Sequence, residues 1–318
     1  MRIMTLRILA VLLLAAAAPA ADLKLGIIGL DTSHVTAFTE LLNNPSNPNH
    51  VAGARVVAGY RGGSPDVESS YTRLDKFTET LKTKYGVEIV PDIPALLQKV
   101  DAVLLESVDG RLHLEQAKPV LVAKKPVFID KPLASTYADA KEIARLARAS
   151  GTPWFSSSSL RYSAQAVELK GPNTLGAFTW GPGPLEPHHQ LELSWYGIHA
   201  IEMLYTLMGT GCESVTNTST ADADLVAGRW KDGRVGTVRC GRGKGSSAYG
   251  AVVYTPSQPR QSREDKGAYY GNLLAEVVKF FQTGKPPVPN EETLEIFAFL
   301  DAAQRSKDNG GAPARVQR

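Results

Sequence analysis

Cysteine is nearly missing from this chain: Cys212 and Cys240 are the only two in 318 residues. That excludes a disulfide-stapled scaffold and a cysteine-rich zinc site. In an oxidising compartment the two can pair, or they can stay as buried thiols, since a large domain does not need the cross-link. Long apolar runs are also lacking. Beyond the first 21 residues no segment approaches membrane-spanning length. Nor is there an excess of one charge. Setting Arg2 and Arg7 aside, 33 basic residues face 32 acidic ones, interleaved along the chain. No basic cluster is present to follow a phosphate backbone, which excludes nucleic acid as a partner. With 43% hydrophobic and 21% charged residues, and no internal repeat, the composition is that of a soluble globular protein.

The first residues stand apart. Arg2 and Arg7 precede an apolar run from Ile8 to Ala18, and Ala18-Pro19-Ala20 offers small residues at a cleavage point. Residues 1–21 read as a secretory signal peptide, with an uncleaved anchor as the alternative. The expectation is an exported protein, periplasmic or extracellular, with no stable membrane span after cleavage.

Strand and helix then alternate with short connections. Leu23–Ile28, Ala54–Gly59, Glu88–Val90, Ala102–Leu105, Val127–Ile129 and Pro153–Ser156 read as strands. Helices fall between them at Val35–Leu42, Tyr71–Tyr85, from Asp92 to Leu97, His113–Val122, and from a Ser135 or Thr136 cap to Ala149. This predicts an α/β domain over residues 22–156, Rossmann-like, with a doubly wound parallel sheet. From residue 157 to 318 the pattern changes to an α+β domain with a mostly antiparallel sheet. Its expected strands are Ala177–Trp180, His189–Leu193, Val215–Thr218, Leu225–Trp230, Val235–Cys240 and Ala251–Tyr254, with Lys231-Asp232-Gly233 as a hairpin turn. Its helices are Ile198–Met208, Asn272–Gln282 and Glu291–Ser306, and the tail after Asn309 is expected to fray.

Chemistry gathers at a strand end. Val127–Ile129 stops at Asp130-Lys131-Pro132, and ligands of open α/β sheets sit beyond the carboxyl ends of the strands. A lysine there is placed for catalysis, or it is one half of a surface ion pair. His199 opens a helix and can titrate near neutrality, or it is a histidine of the core.

Taken in order, these features resemble the glucose–fructose oxidoreductase / inositol dehydrogenase / MocA family over nearly the whole chain beyond residue 21. The matches are the Gly26–Gly29 turn, Tyr85-Gly86-Val87, His113 before Glu115-Gln116-Ala117, and Asp130-Lys131-Pro132 for the family's Glu-Lys-Pro. Gly197-Ile-His199 with Glu202 and Gly209, and Gly284-Lys-Pro-Pro287 before Ala302–Ser306, complete them. The resemblance implies a nicotinamide cofactor, NAD or NADP, on the first domain and a sugar or cyclitol against the second. It implies Lys131 and His199 as the acid/base pair, and cofactor contacts from Gly29, Asp31, Thr32, Ser33, Arg61, Ser107 and Asp130. Arg161, Tyr162, His188, Trp195 and Tyr196 would line the sugar site, and the second sheet would form a homodimer face.

The chain departs from that pattern in places. Gly29 takes the first position of a Gly-x-Gly-x-x-Gly turn, but Asp31 and His34 take the others. Asp31 brings a negative charge to the diphosphate position, or it caps the helix. Thr32, Ser33 and the helix amides remain able to hold an anion. Arg61 after the second strand favours a 2′-phosphate and hence NADP, or it is a solvated loop residue. Trp195 stands where the family commonly carries an aspartate. It can stack on a sugar ring but relays no proton, leaving Tyr196, His188 or Glu202 to assist. Two functions follow: an oxidoreductase, or an exported sugar-binding module that has kept the fold without redox turnover.

Overall fold

The computed structural model describes residues 21–263, 267 and 269–318, so the expected signal peptide lies outside the described residues apart from its last position. Six parallel strands form the first sheet: β1 (Leu23–Ile28), β2 (Ala54–Tyr60), β3 (Glu88–Val90), β4 (Ala102–Leu105), β5 (Val127–Asp130) and β6 (Trp154–Ser157). Their order is β3-β2-β1-β4-β5-β6, so the direction of winding reverses between β1 and β4, where a crevice opens. The strands are apolar on both sides because both faces are covered. Helices α3 (Ile93–Leu97), α4 (His113–Val122) and α5 (Tyr137–Ser150) pack on the side of Ile28, Val103, Leu105 and Ile129. On the other side, Leu25, Ile27, Phe128 and Phe155 meet α1 (Ser33–Asn43) and α2 (Glu68–Tyr85).

A sixth helix of the first sheet joins that second face. After the short α6 (Ala164–Val167), strand β7 (Gly176–Pro182) and α7 (Ile198–Met208), strands β8 (Cys212–Ser219), β9 (Ala223–Trp230), β10 (Val235–Gly241), β11 (Gly250–Tyr254) and β12 (Arg260–Gln261) follow. Then α8 (Tyr269–Thr283) turns back, burying Leu273, Leu274, Val277 and Phe280 against Phe38 and Phe155. A division after residue 156 therefore assigns α8 to the second domain, while its packing completes the first. Helix α9 (Asn290–Asp308) returns to the second sheet, whose order is β12-β11-β7-β10-β9-β8-β13, with β13 at Ala314–Arg315. Only β7 and β10 run parallel, and the Lys231–Gly233 turn joins antiparallel β9 and β10 as expected.

Two expectations need correction. His189–Leu193 is no strand: the segment is a turn followed by a 3-10 turn at Glu192–Ser194. Its alternating burial arises because His189, Leu191 and Leu193 point inward from a segment that pairs with no strand. The tail does not fray. Ala314 and Arg315 pair with β8, and Arg318 bonds the Cys212 carbonyl and pairs with Glu295 at 3.0 Å. Of the two readings for the cysteines, the structure shows buried thiols: Cys212 and Cys240 are unpaired, and burial pushes both up to about 12. Among the described residues, no helix is long and apolar enough to cross a membrane.

Candidate functional site

The site lies where the carboxyl ends of the first sheet face α7. Gly29 makes the turn after β1 at φ +87°, and a Cβ there would lie 2.4 Å from the Ser107 backbone nitrogen, so only glycine lets the β1 and β4 loops come this close. Thr32 caps α1 by accepting from the His34 amide. The alternative reading of Asp31 as that cap is therefore corrected. Asp31 is fully buried and accepts from the Val108 amide at 3.0 Å and the Ser70 hydroxyl at 2.6 Å. Burial pushes its carboxyl up, against those hydrogen bonds.

Asp31 thereby spans the crevice between the β1 and β4 loops. Other contacts close it further. The Arg61 carbonyl accepts from the Leu30 amide, and Ser64 Oγ donates to Asp109 Oδ2 at 2.6 Å. Val67, Val108 and Trp195 form a small apolar cluster of their own. His189 meets Asp109 at 3.0 Å, with both side chains out of contact with solvent. Burial alone would raise Asp109, but His189, Arg111 and Ser64 outweigh it and hold the carboxyl well below the usual range. A dinucleotide laid across this crevice would have to part these contacts.

What stays open is a cavity of about 200 Å³ at the end of β5. From the first domain it receives Thr32, Ser33, His34, Ser69, Arg73 and Lys131. From the second come Trp195, Tyr196 and His199, with Tyr249 and the pair Tyr269-Tyr270 closing the far side. Lys131, 8% exposed, holds its ammonium 5.5 Å from the Tyr196 ring centroid. Burial, followed by the nearby Arg73 charge, lowers its pKa despite Asp130.

Asp130 stands behind the lysine. Its Oδ1 accepts from the Lys131 amide at 2.8 Å, and its Oδ2 lies 2.6 Å from His34 Nδ1. Burial opposes the charge, but His34 and then Lys131 keep Asp130 below the usual carboxylate range. His34 stacks on Phe38 and meets Tyr270 edge-on, both at 5.0 Å. Across the cavity, His199 Nδ1 lies 2.6 Å from Ser158 Oγ, which also accepts from the Leu160 amide. Burial, then Lys131 and His34, push the His199 pKa well down, so the ring is neutral. In the tautomer whose Nδ1 accepts from Ser158, the ring hydrogen sits on Nε2. Beneath the site, Glu106 is wholly buried without a partner, and burial beside Asp130 and Asp31 drives its pKa well up.

The cavity thus gathers Thr32, Ser33, Lys131, Trp195, Tyr196 and His199 from the residues singled out by sequence. Gly29, Asp31 and Ser107 lie in the closed crevice, where Ser107 donates to Gln116 at 2.7 Å. Arg61 pairs with Asp75 on the surface. Three expected sugar contacts stand elsewhere. His188 is exposed against Glu186 at 2.6 Å, and it is His189, one residue on, that turns inward. Arg161 is buried in an ion pair with Glu202 and Glu292, whose carboxylates raise its pKa although burial lowers it. Tyr162 keeps its hydroxyl buried without a partner and its pKa pushed up to about 12 by burial. Glu202 is thereby committed to Arg161 and the Ser158 amide and is not free to relay protons. Arg73, Ser69, Tyr249 and Tyr269-Tyr270 escaped the sequence reading. Arg73 read only as the polar face of a helix, while the adjacent tyrosines opening α8 were a signal that went unused. No group of three or more His, Cys, Asp or Glu among the described residues can hold a metal.

Comparisons with known proteins agree with this architecture. Residues 24–156 match the family described as "Oxidoreductase family, NAD-binding Rossmann fold". No protein of curated function matches the sequence. A probable dehydrogenase from Thermotoga maritima is 20% identical with a TM-score of 0.74, over 92% of this chain and 99% of that one. Myo-inositol dehydrogenase from Lactobacillus casei, solved with NAD(H) and myo-inositol, is 19% identical with a TM-score of 0.74, over 94% and 98%. Myo-inositol 2-dehydrogenase from Lactobacillus plantarum is 16% identical with a TM-score of 0.75, over 93% and 100%. At these identities the likeness speaks for the fold. Residues 24–156 thus carry the family's NAD-binding Rossmann-fold domain, and the chain as a whole shares the fold of these dehydrogenases over nearly its entire length.

Proposed function

We propose that the chain is an oxidoreductase of the sugar or cyclitol dehydrogenase type, in which Lys131 and His199 handle the proton of a substrate hydroxyl. The observation that carries this is their convergence, one from each domain, on a single cavity. A buried amine with a lowered pKa can take a hydroxyl proton, and the Nε2 hydrogen of a neutral His199 can steady the oxygen as charge develops. Trp195 and Tyr196 offer flat faces to a ring.

Removing hydride needs an acceptor, and the family's first domain is named for NAD. Two structural neighbours are inositol dehydrogenases, one of them bound to NAD(H) and myo-inositol. The Asp31–Val108 bridge favours a second reading, a sugar-binding protein that has kept the fold without redox turnover. Titration with NADH and NADPH, followed by turnover assays on a panel of sugars and cyclitols, separates the two. Cofactor binding with polyol-dependent reduction supports the first reading. No cofactor binding at millimolar concentration overturns it. Export is part of the same reading, and amino-terminal sequencing of the protein recovered from cells tests it, an intact Met1 being the adverse result.

A further inference from the structure

The cavity wall is chemically one-sided. A neutral sugar presents hydroxyls that both donate and accept, and sites that grip it commonly answer with carboxylates and amides as well as with donors. Here no Asp, Glu, Asn or Gln lines the cavity among the described residues. Arg73 and Lys131 bring two cationic side chains, and neither has a carboxylate within 4.0 Å among the described residues. Arg73 spends only its Nε, on the Ser69 carbonyl, which leaves the guanidinium amines uncommitted. Of the acids close behind, Asp130 is engaged by His34 and by the Lys131 amide, and burial beside Asp130 and Asp31 drives the Glu106 pKa well up. Ser69 Oγ is buried and unpartnered at the same wall, and Thr32 and Ser33 open the eleven-residue α1 onto it. The helix end alone would be weak evidence. Together with two unneutralised cations and an orphaned hydroxyl, it defines a wall that lacks a negative charge.

We infer that the ligand of this cavity is a polyhydroxy carboxylate, a sugar acid and not a neutral sugar, with its carboxylate on Arg73 and Lys131. The inference deepens, and rests on, the reading of the Lys131–His199 cavity as the substrate site. A planar carboxylate matches the paired amines of a guanidinium, while the ring hydroxyls face Tyr196, Tyr249, His199 and Ser69. A cavity of about 200 Å³ takes one small polyol.

Calorimetric titration of the purified chain with D-glucuronate and D-glucose tests this directly, since the two differ only at the terminal carbon. D-gluconate, glucose 6-phosphate, inorganic phosphate and NADH complete the panel. A sugar acid is expected to bind at least about tenfold more tightly than glucose, as a charge-assisted contact warrants, with an affinity that falls as salt rises. Arg73→Gln should erase that preference and leave any glucose affinity unchanged, and Arg73→Lys should keep part of it. Thermal melts of both variants establish that they fold. Glucose binding as well as the acids, or an equal loss for both ligands in Arg73→Gln, overturns the inference, as does binding of neither acid. Tighter binding of glucose 6-phosphate or phosphate assigns the wall to phosphate and overturns the carboxylate. Competition between NADH and glucuronate through Arg73 assigns it to the cofactor and overturns it too. Glucuronate binding without oxidation would sustain this inference while sinking the oxidoreductase reading. Oxidation of neutral sugars alone would do the reverse.

Discussion

Asp31 accepts a hydrogen bond from the backbone amide of Val108, 3.0 Å away, and so ties the loop after β1 to the loop after β4 across the crevice where the sheet reverses. Asp31→Gly restores a fingerprint glycine and cuts that tie. It should cost roughly 1–3 kcal/mol of stability, because the Val108 amide and the Ser70 hydroxyl lose their acceptor. It should also raise NADH affinity by about tenfold or more. Urea unfolding and cofactor titration read the two effects. Unchanged NADH affinity would show that the bridge is not what closes the crevice.

Lys131→Met should lower turnover by about 10²–10⁴-fold while leaving the fold intact, as loss of a positioned acid/base group does. Because burial and Arg73 lower the lysine pKa from its usual 10.5, the wild-type rate should rise with pH and level off below that value. The variant should lack that limb. A pH–rate profile shared by both proteins would remove Lys131 from the proton transfer.

His199 makes stability depend on pH. Its folded-state pKa lies well below the ordinary 6.5, so below about pH 6.5 the unfolded chain takes up a proton that the folded chain refuses. Stability attributable to this residue is intact above that pH and should fall by up to about 1.4 kcal/mol per pH unit below it. His199→Asn should flatten the slope between pH 7 and 5 in urea midpoints. Parallel slopes in the two proteins would refute a suppressed protonation.

Arg161→Met should destabilise the chain by about 3–5 kcal/mol, since it strands the buried carboxylate of Glu202 and unpairs the partly exposed Glu292. Pairing it with Glu202→Gln should recover part of the loss. A variant with wild-type stability and impaired substrate binding would instead return Arg161 to the sugar site.

The sequence made the architecture legible wherever spacing was local. The strands of the first sheet, the caps at Thr136 and Asp92 and the glycine stops at Gly86 and Gly151 all lie within two residues of expectation. Partner choice was less legible. His188 and His189 are adjacent and chemically alike, and only the fold sets one against solvent and the other against Asp109. Arg161 is expected at the sugar site only from the family resemblance, yet α7 and α9 bring two carboxylates to it. Arg73 sits on a polar helix face, and its proximity to Lys131, 58 positions later in the chain, exists only in three dimensions.

The return of α8 to the first sheet has a consequence for how the protein is made. Leu25, Ile27, Phe128 and Phe155 emerge early from the ribosome, but the helix that covers them ends at Thr283. The second sheet likewise waits for Ala314 and Arg315 to finish its rim. The first half therefore cannot complete its core until α8, far along the chain, has been made.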